Sequence, residues 1–299
     1  MMAYGSGERY SLDAFKTLFE LHPELREIIV EGRVDAAIVS WFATQSGLNC
    51  DVFGVDDRVD VPSDVVRASG QSVGNRGEVI ALARALNSEA GRLRRQLICI
   101  ADADFDHLTG TRYDDELLLL TDVATLELYV VAPSSLERFH SLFLRNHPPI
   151  DLYTTVKMFL PALVDVFLVR HIIGRFDSPP PMISRIESCI FKRGSTLVAD
   201  VPELIRRCVT ELRLSREEVE SLASDVEDLN KKVVGDVRKY VNWHDFARLL
   251  IRVLELRNDL AKTDVIERAL TTCLDYGDVK DQPLFVEILR RFGEAAEEQ

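Results

Sequence analysis

With 299 residues and 46% apolar content, the chain can bury a substantial core in one large domain or two modest ones. A formal charge of −13 argues against nonspecific coating of nucleic acid, so phosphate recognition would need a basic patch, a metal or a basic partner. No apolar run reaches the length of a membrane span, no basic and apolar leader opens the sequence, and the five scattered cysteines exclude a complete disulfide framework or a CxxC zinc pair. The expected setting is the cytoplasm, with reduced, buried thiols and no membrane partner.

In chain order, residues 1 to 10 read as a loose arm. Ser11 then stands where an N-cap belongs, before a short helix carrying Phe15, Leu18 and Phe19 on one face and closing before Pro23. Glu27 to Glu31 read as a strand. Gly32 suits a tight turn, Asp35 can cap the helix that follows, and that helix runs on through Ala36 to Ala43. Cys50 to Val55 form a second strand, and Asp56 and Asp57 at its end read as a polar loop or as an extension of an acidic site.

Residues 59 to 75 are loop-like and contain Gly70-Gln71-Ser72-Val73-Gly74, which fits the G-x-S-x-G nucleophile elbow of α/β hydrolases. That motif needs a strong strand before it, and Ser63 to Ala68 is short and interrupted by charge. A flexible turn whose amides and Arg76 face a phosphate near the next helix start is the better functional reading, beside a plain connection. Gly77 to Leu86 form that helix.

Leu97 to Ile100 have the continuous apolar character of a strand covered on both faces, and three acids, Asp102, Asp104 and Asp106, end it. If the backbone stays extended, Asp102 and Asp104 share a face at roughly 7 Å. They would then lie at the carboxyl end of a parallel strand, the usual ligand edge. Glu31 ends another such strand and joins them if the two strands are neighbours. Thr109 to Glu116 read as a loop, Leu117 to Leu120 as a fourth strand, and Ala124 to Val131, with Glu127, as a turn into the next layer. Strands alternating with helices imply an α/β fold with a mostly parallel sheet.

From Ser134 the pattern becomes helical. Leu152 to Ile173 form a core helix, Pro179-Pro180-Pro181 a hinge, and Met182 to Phe191, Val201 to Leu212, Ser215 to Asn230 and Trp243 to Leu256 further helices, with two more in 262 to 292. The expected division is an α/β domain over 1–133 and an α-helical domain over 134–299. His244 reads either as a site residue or as a hydrogen-bonded structural histidine. Three basic runs stand out against the acidic background: Arg92, Arg94 and Arg95; Arg206 and Arg207; and Lys231, Lys232, Arg238 and Lys239.

Val30-Glu31-Gly32-Arg33-Val34-Asp35, followed about 70 residues later by Asp102-Ala103-Asp104-Phe105-Asp106, resembles the paired signature of TOPRIM domains, found in topoisomerases, primases and overcoming-lysogenisation-defect nucleases. The likeness covers roughly 25 to 132. Thr125 to Tyr129 and Trp243-His244-Asp245 look closer to a subgroup that includes the TOPRIM effector subunit of the PARIS anti-phage system, although Trp243 replaces a usually smaller residue. The resemblance implies a TOPRIM-like sheet, with Glu31 as ligand or general acid/base, Asp102 and Asp104 as metal ligands, Asp35 and Asp106 completing the set, and Glu127 and His244 as accessories.

Hard oxygen ligands suit Mg²⁺ or Mn²⁺, and phosphoryl transfer is the chemistry such a site performs. No GxxxxGK[ST] loop is present, so the chain should not hydrolyse ATP itself. The chain lacks room for topoisomerase gate domains and lacks a primase zinc module. The expectation is a metal-dependent nuclease effector of anti-phage defence, cleaving DNA or RNA. A helical half with ample surface and no phosphate-binding loop points to a separate ATPase sensor as partner and a homodimer when active. The resemblance implies the same arrangement, with transfer RNA as a target. The alternative is a noncatalytic regulatory or scaffold subunit that keeps the fold.

Overall fold

The computed structural model describes residues 9–145, 149–176, 186–212 and 214–293, so the Pro179–Pro181 link lies outside the described residues. The protein is α/β, with a parallel main sheet flanked by helices and a helical C-terminal region. It divides into two compact units: Met1–Ala103 with Arg112–Asp122 and Val279–Gln299, and Asp104–Thr111 with Val123–Asp278. The boundary expected at 133 falls inside the second unit.

The first unit holds a four-stranded sheet of β1 (Glu27–Val30), β2 (Asp51–Gly54), β3 (Leu97–Ala101) and β4 (Leu118–Leu120) in the order β2-β1-β3-β4. All three pairings are parallel, and the register sets Glu27 opposite both Asp51 and Leu97, and Cys99 opposite Leu118. Every residue of β1 and β3 is buried, which is why, Glu27 apart, these central strands read as apolar runs rather than alternating ones. Ile29, Leu97 and Cys99 share one core cluster with Phe15 and Phe19 of the helix Leu12–Leu21, and with Val79 and Leu82 of the helix Asn75–Ala85. Burial pushes the Cys99 thiol up to about 12, so it is an inert core group.

Ser11 does cap its helix, accepting from the Ala14 N–H. The helix Pro283–Gly293 also belongs to this unit. Phe285 packs on Phe42 of the helix Arg33–Gln45 with centroids 4.5 Å apart, and the Phe292 carbonyl accepts from Arg26 at 3.1 Å.

Two expectations fail here. The stretch 59–75 is not all loop: Val59–Asp60 pairs in parallel with Tyr10–Ser11, and Ser63–Ala68 is a helix. Charges at Asp64 and Arg67 mark its outer face, while Val66 is buried beneath. The glycine at 32 adopts φ −143°, an extended value open to any residue, so the turn there does not depend on glycine.

In the second unit, Leu152–Ile173 is the central helix, buried along most of its length, with Arg216–Asn230 and Trp243–Val253 packed on it. Ser215 and Glu218 form the expected reciprocal cap, at 3.2 and 2.7 Å. The helix expected over 182–191 is corrected: Ile190–Arg193 pairs antiparallel with Thr196–Ala199, and residues 182 to 185 lie outside the described set. Gly194 at φ +62° makes the tight reversal that turns this segment into a hairpin. Among the described residues no helix is long and apolar enough to cross a membrane.

Candidate functional site

The strand order reverses between β1 and β3, the position at which an open parallel sheet leaves a crevice at its carboxyl edge. Glu31 directly follows β1, and Asp102 directly follows β3. The structure brings these two together: the Asp102 N–H donates to Glu31 Oε1 at 2.8 Å. The condition set by the sequence, that the two acid-ended strands be neighbours, is met.

The helix Asn75–Ala85 starts beside them. Asn75 Nδ2 donates to the Glu31 carbonyl at 2.8 Å and to Asp56 Oδ2 at 3.0 Å, tying the ends of β1 and β2 to the helix N-terminus. Arg76 Nε donates to the Asp102 carbonyl at 2.9 Å, and its Nη2 lies 3.5 Å from the Tyr113 hydroxyl. Arg76 is thus a positioning residue for the Asp102 backbone. Asn75 and Tyr113 were not singled out by sequence; the signal for Asn75 was its place as a polar residue opening a helix directly after a glycine.

Gly77 explains how the preceding loop holds its course. A Cβ there would lie 2.0 Å from the Ser72 carbonyl oxygen and 3.1 Å from Val66 Cγ1, so only glycine lets the loop cross the first turn. Ser72 follows the helix Ser63–Ala68 rather than a strand, which removes the structural context of a nucleophile elbow.

Asp35 Oδ2 accepts the Gly32 N–H at 2.9 Å, the capping arrangement its position allowed. Asp57 is ion-paired with Arg33 at 3.1 Å, and this exposed bridge holds its carboxyl below the usual range.

The extended run expected through Asp106 does not occur. β3 ends at Ala101, Asp104 has φ +44°, and Asp106 opens the short helix Asp106–Thr109. Local bonds replace the strand ladder: the Ala103 N–H goes to Thr121 Oγ1 at 2.9 Å and the Asp104 N–H to the Ala124 carbonyl at 2.9 Å. A short acidic side chain tolerates the left-handed region better than most, so the chain can turn at Asp104. Asp102 and Asp104 therefore do not share a strand face by alternation, and Asp104 and Asp106 fall in the second unit.

Glu127 and His244 both lie in the second unit and interact electrostatically. His244 Nδ1 sits 2.6 Å from Glu267 Oε1, and this hydrogen bond raises the imidazole above its ordinary value, with Glu127 adding to the effect. Burial pushes the Glu127 carboxyl up, opposed by hydrogen bonds and by His244. The arrangement fits the structural reading of His244.

Among the described residues no group of three His, Cys, Asp or Glu side chains is placed to hold a metal ion. Mg²⁺ keeps several waters and often takes only one or two protein carboxylates plus substrate phosphate, a demand that Glu31 and Asp102 at adjacent strand ends are of the right chemistry to meet; an all-protein cage is not formed among the described residues. No protein-family model matches the chain, and no curated protein matches it.

Proposed function

We propose that the carboxyl edge of the parallel sheet is the active site of a metal-dependent nuclease, with Glu31 and Asp102 as its first acids. The observation carrying this reading is the pairing of two acids at the ends of the adjacent strands β1 and β3, where the strand order reverses. A bound Mg²⁺ or Mn²⁺ would supply polarisation of a phosphate oxygen and an activated water. The chain's own residues perform the positioning. The Asp102 N–H fixes one oxygen of Glu31, Asn75 fixes the Glu31 backbone, and Arg76 fixes the Asp102 backbone. Glu31 is the group suited to take or return a proton at the attacking water, and Asp102 orients what binds beside it.

In the same reading the chain is a defence effector, restrained by a separate ATPase and dimeric once released, with transfer RNA among its targets. Support comes from the TOPRIM resemblance and from the missing phosphate-binding loop. The noncatalytic alternative draws on one observation, that no group of three acids is placed to hold a metal ion among the described residues.

Cleavage of DNA, bulk RNA and transfer RNA, each with and without Mg²⁺, separates the two. Metal-dependent cleavage by the wild type that vanishes in Glu31→Gln, at unchanged melting temperature, supports the nuclease. No cleavage of any substrate, alone or after co-expression with neighbouring gene products, moves the scaffold reading ahead.

A further inference from the structure

A second concave feature lies at the other end of the same sheet. Arg94, Arg95, Glu116, Arg290 and Arg291 line a cavity of about 250 Å³ in the first unit. Arg94 and Arg95 come just before β3 and Glu116 just before β4, so this is the amino edge, opposite the acids. Arg290 and Arg291 come from the last turn of the helix Pro283–Gly293.

Four arginines in one hollow need explanation in a chain of charge −13. Several members of the other basic runs have an acidic partner: Arg206 and Arg207 share Glu203, Lys231 pairs with Asp228, Arg238 with Asp236, and Arg92 with Glu20 and Glu89. The Arg94 guanidinium has no hydrogen bond or ion pair among the described residues.

Arg291 is held rigidly, with only 12% of its side chain exposed. Its Nε donates to Glu287 Oε1 at 2.8 Å and its Nη1 to the Glu116 carbonyl at 2.8 Å. Arg290 grips the same Glu287 carboxylate through two bonds of 2.7 Å. One carboxylate and one backbone carbonyl thus fix two of the four guanidinium groups, so four arginines face two glutamates, Glu116 and Glu287, at the hollow.

We infer that this hollow is a binding site for a phosphoryl group. Planar, permanently charged guanidinium forks match the oxygens of phosphate, and prior fixation of Arg291 reduces the ordering cost of binding. The volume lies below the range of roughly 300–1,000 Å³ common for small-molecule pockets, so it seats the phosphate while the rest of the ligand stays outside. Two sources share that chemistry, a small phosphorylated molecule and a phosphate of a polynucleotide. With so few cations engaged, binding should depend weakly on salt compared with a protein that coats nucleic acid.

The test is calorimetric titration of the full chain, without divalent metal, using inorganic phosphate, AMP, and a short single-stranded oligonucleotide with and without a 5′-phosphate. Saturable binding that weakens about tenfold or more in Arg94→Ala, the cost of losing one charge-assisted contact, supports the site. Arg94 is exposed, so this variant spares the core; Arg291→Ala would also release Glu116 and Glu287. Binding of phosphate and AMP assigns a small ligand, preference for the 5′-phosphorylated oligonucleotide assigns a strand end, and equal binding of both oligonucleotides assigns the backbone. Absence of saturable binding by all four, or equal affinity in wild type and Arg94→Ala, overturns the inference. Glu31→Gln should bind phosphate unchanged, so this result stands or falls separately from the nuclease reading.

Discussion

Strand β1 starts at Glu27 and is followed directly by Glu31, and the two glutamates meet opposite surroundings. Glu27 is fully buried and its carboxylate is gripped at both oxygens by Arg58, itself nearly buried and stacked between the rings of Tyr10 and Phe53. Burial pushes the Glu27 carboxyl up, against the pull of Arg58. Glu31 is only partly buried, and one of its oxygens takes a neutral backbone N–H. An acid enclosed with its counter-ion serves the fold. An acid at a partly open strand end keeps access to solvent, which a reading of Glu31 as a site residue requires.

The sharpest way to break this contrast is at Arg58. Arg58→Ala leaves Glu27 buried without its partner and should cost about 3–5 kcal/mol, read from the urea midpoint. Replacing both residues by methionine should recover most of that loss. A small effect of Arg58→Ala would erase the distinction between the two glutamates.

At the other end of the strand, Glu31→Gln keeps the acceptor for the Asp102 N–H, so stability should change by less than about 1 kcal/mol while metal-dependent cleavage is lost. The supporting frame is more sensitive. Gly77→Ala drives a methyl against the Ser72 carbonyl and should destabilise by about 1–3 kcal/mol, the range for overpacking. Thr121→Val removes the acceptor of the buried Ala103 N–H and should cost about 1–3 kcal/mol by denaturation.

The smallest effect is in acid. Arg290, followed by Arg291, holds the Glu287 carboxyl down at about 2, below its ordinary 4.5. Its contribution to stability is therefore present above pH 4.5 and is lost as pH falls from there toward 2. Glu287→Gln should flatten that part of the stability curve, measured by unfolding at stepped pH. An unchanged acid limb would show that Arg290 and Arg291 do not depend on Glu287 for their charge balance.

The two central strands were legible because a parallel strand buried on both faces is apolar along nearly all its length, a requirement visible without knowing its neighbours; the flanking strands β2 and β4, partly exposed, were legible from their short apolar runs. Glu31 and Asp102 were legible for a related reason, since an unpaired acid belongs where such a strand leaves the core, whereas a buried one such as Glu27 needs a counter-ion. The backbone beyond β3 was not, because the turn at Asp104 depends on acceptors at Thr121 and Ala124, supplied by another stretch of chain. The hairpin at Ile190–Ala199 was misread because Phe191 is exposed and the basic residues Lys192 and Arg193 give no alternation. The Glu27–Arg58 pair left one trace, a charge at the first position of an otherwise apolar strand. The arginine hollow left half of one, since Arg94 and Arg95 stood out but Arg291 reaches Glu116 from 175 residues away.

The helix Pro283–Gly293 sets an order of events during synthesis. The first unit needs Phe285 against Phe42 and the Phe292 carbonyl on Arg26, a separation of 266 residues. While the ribosome is still short of residue 283, the early strands have emerged but one of their packing partners does not exist. Until then the nascent sheet lacks that cover, whereas every residue of the second unit, Asp104–Thr111 with Val123–Asp278, has already been made. Fragments ending near residue 133 would remain in that state and should aggregate, although they contain all four strands.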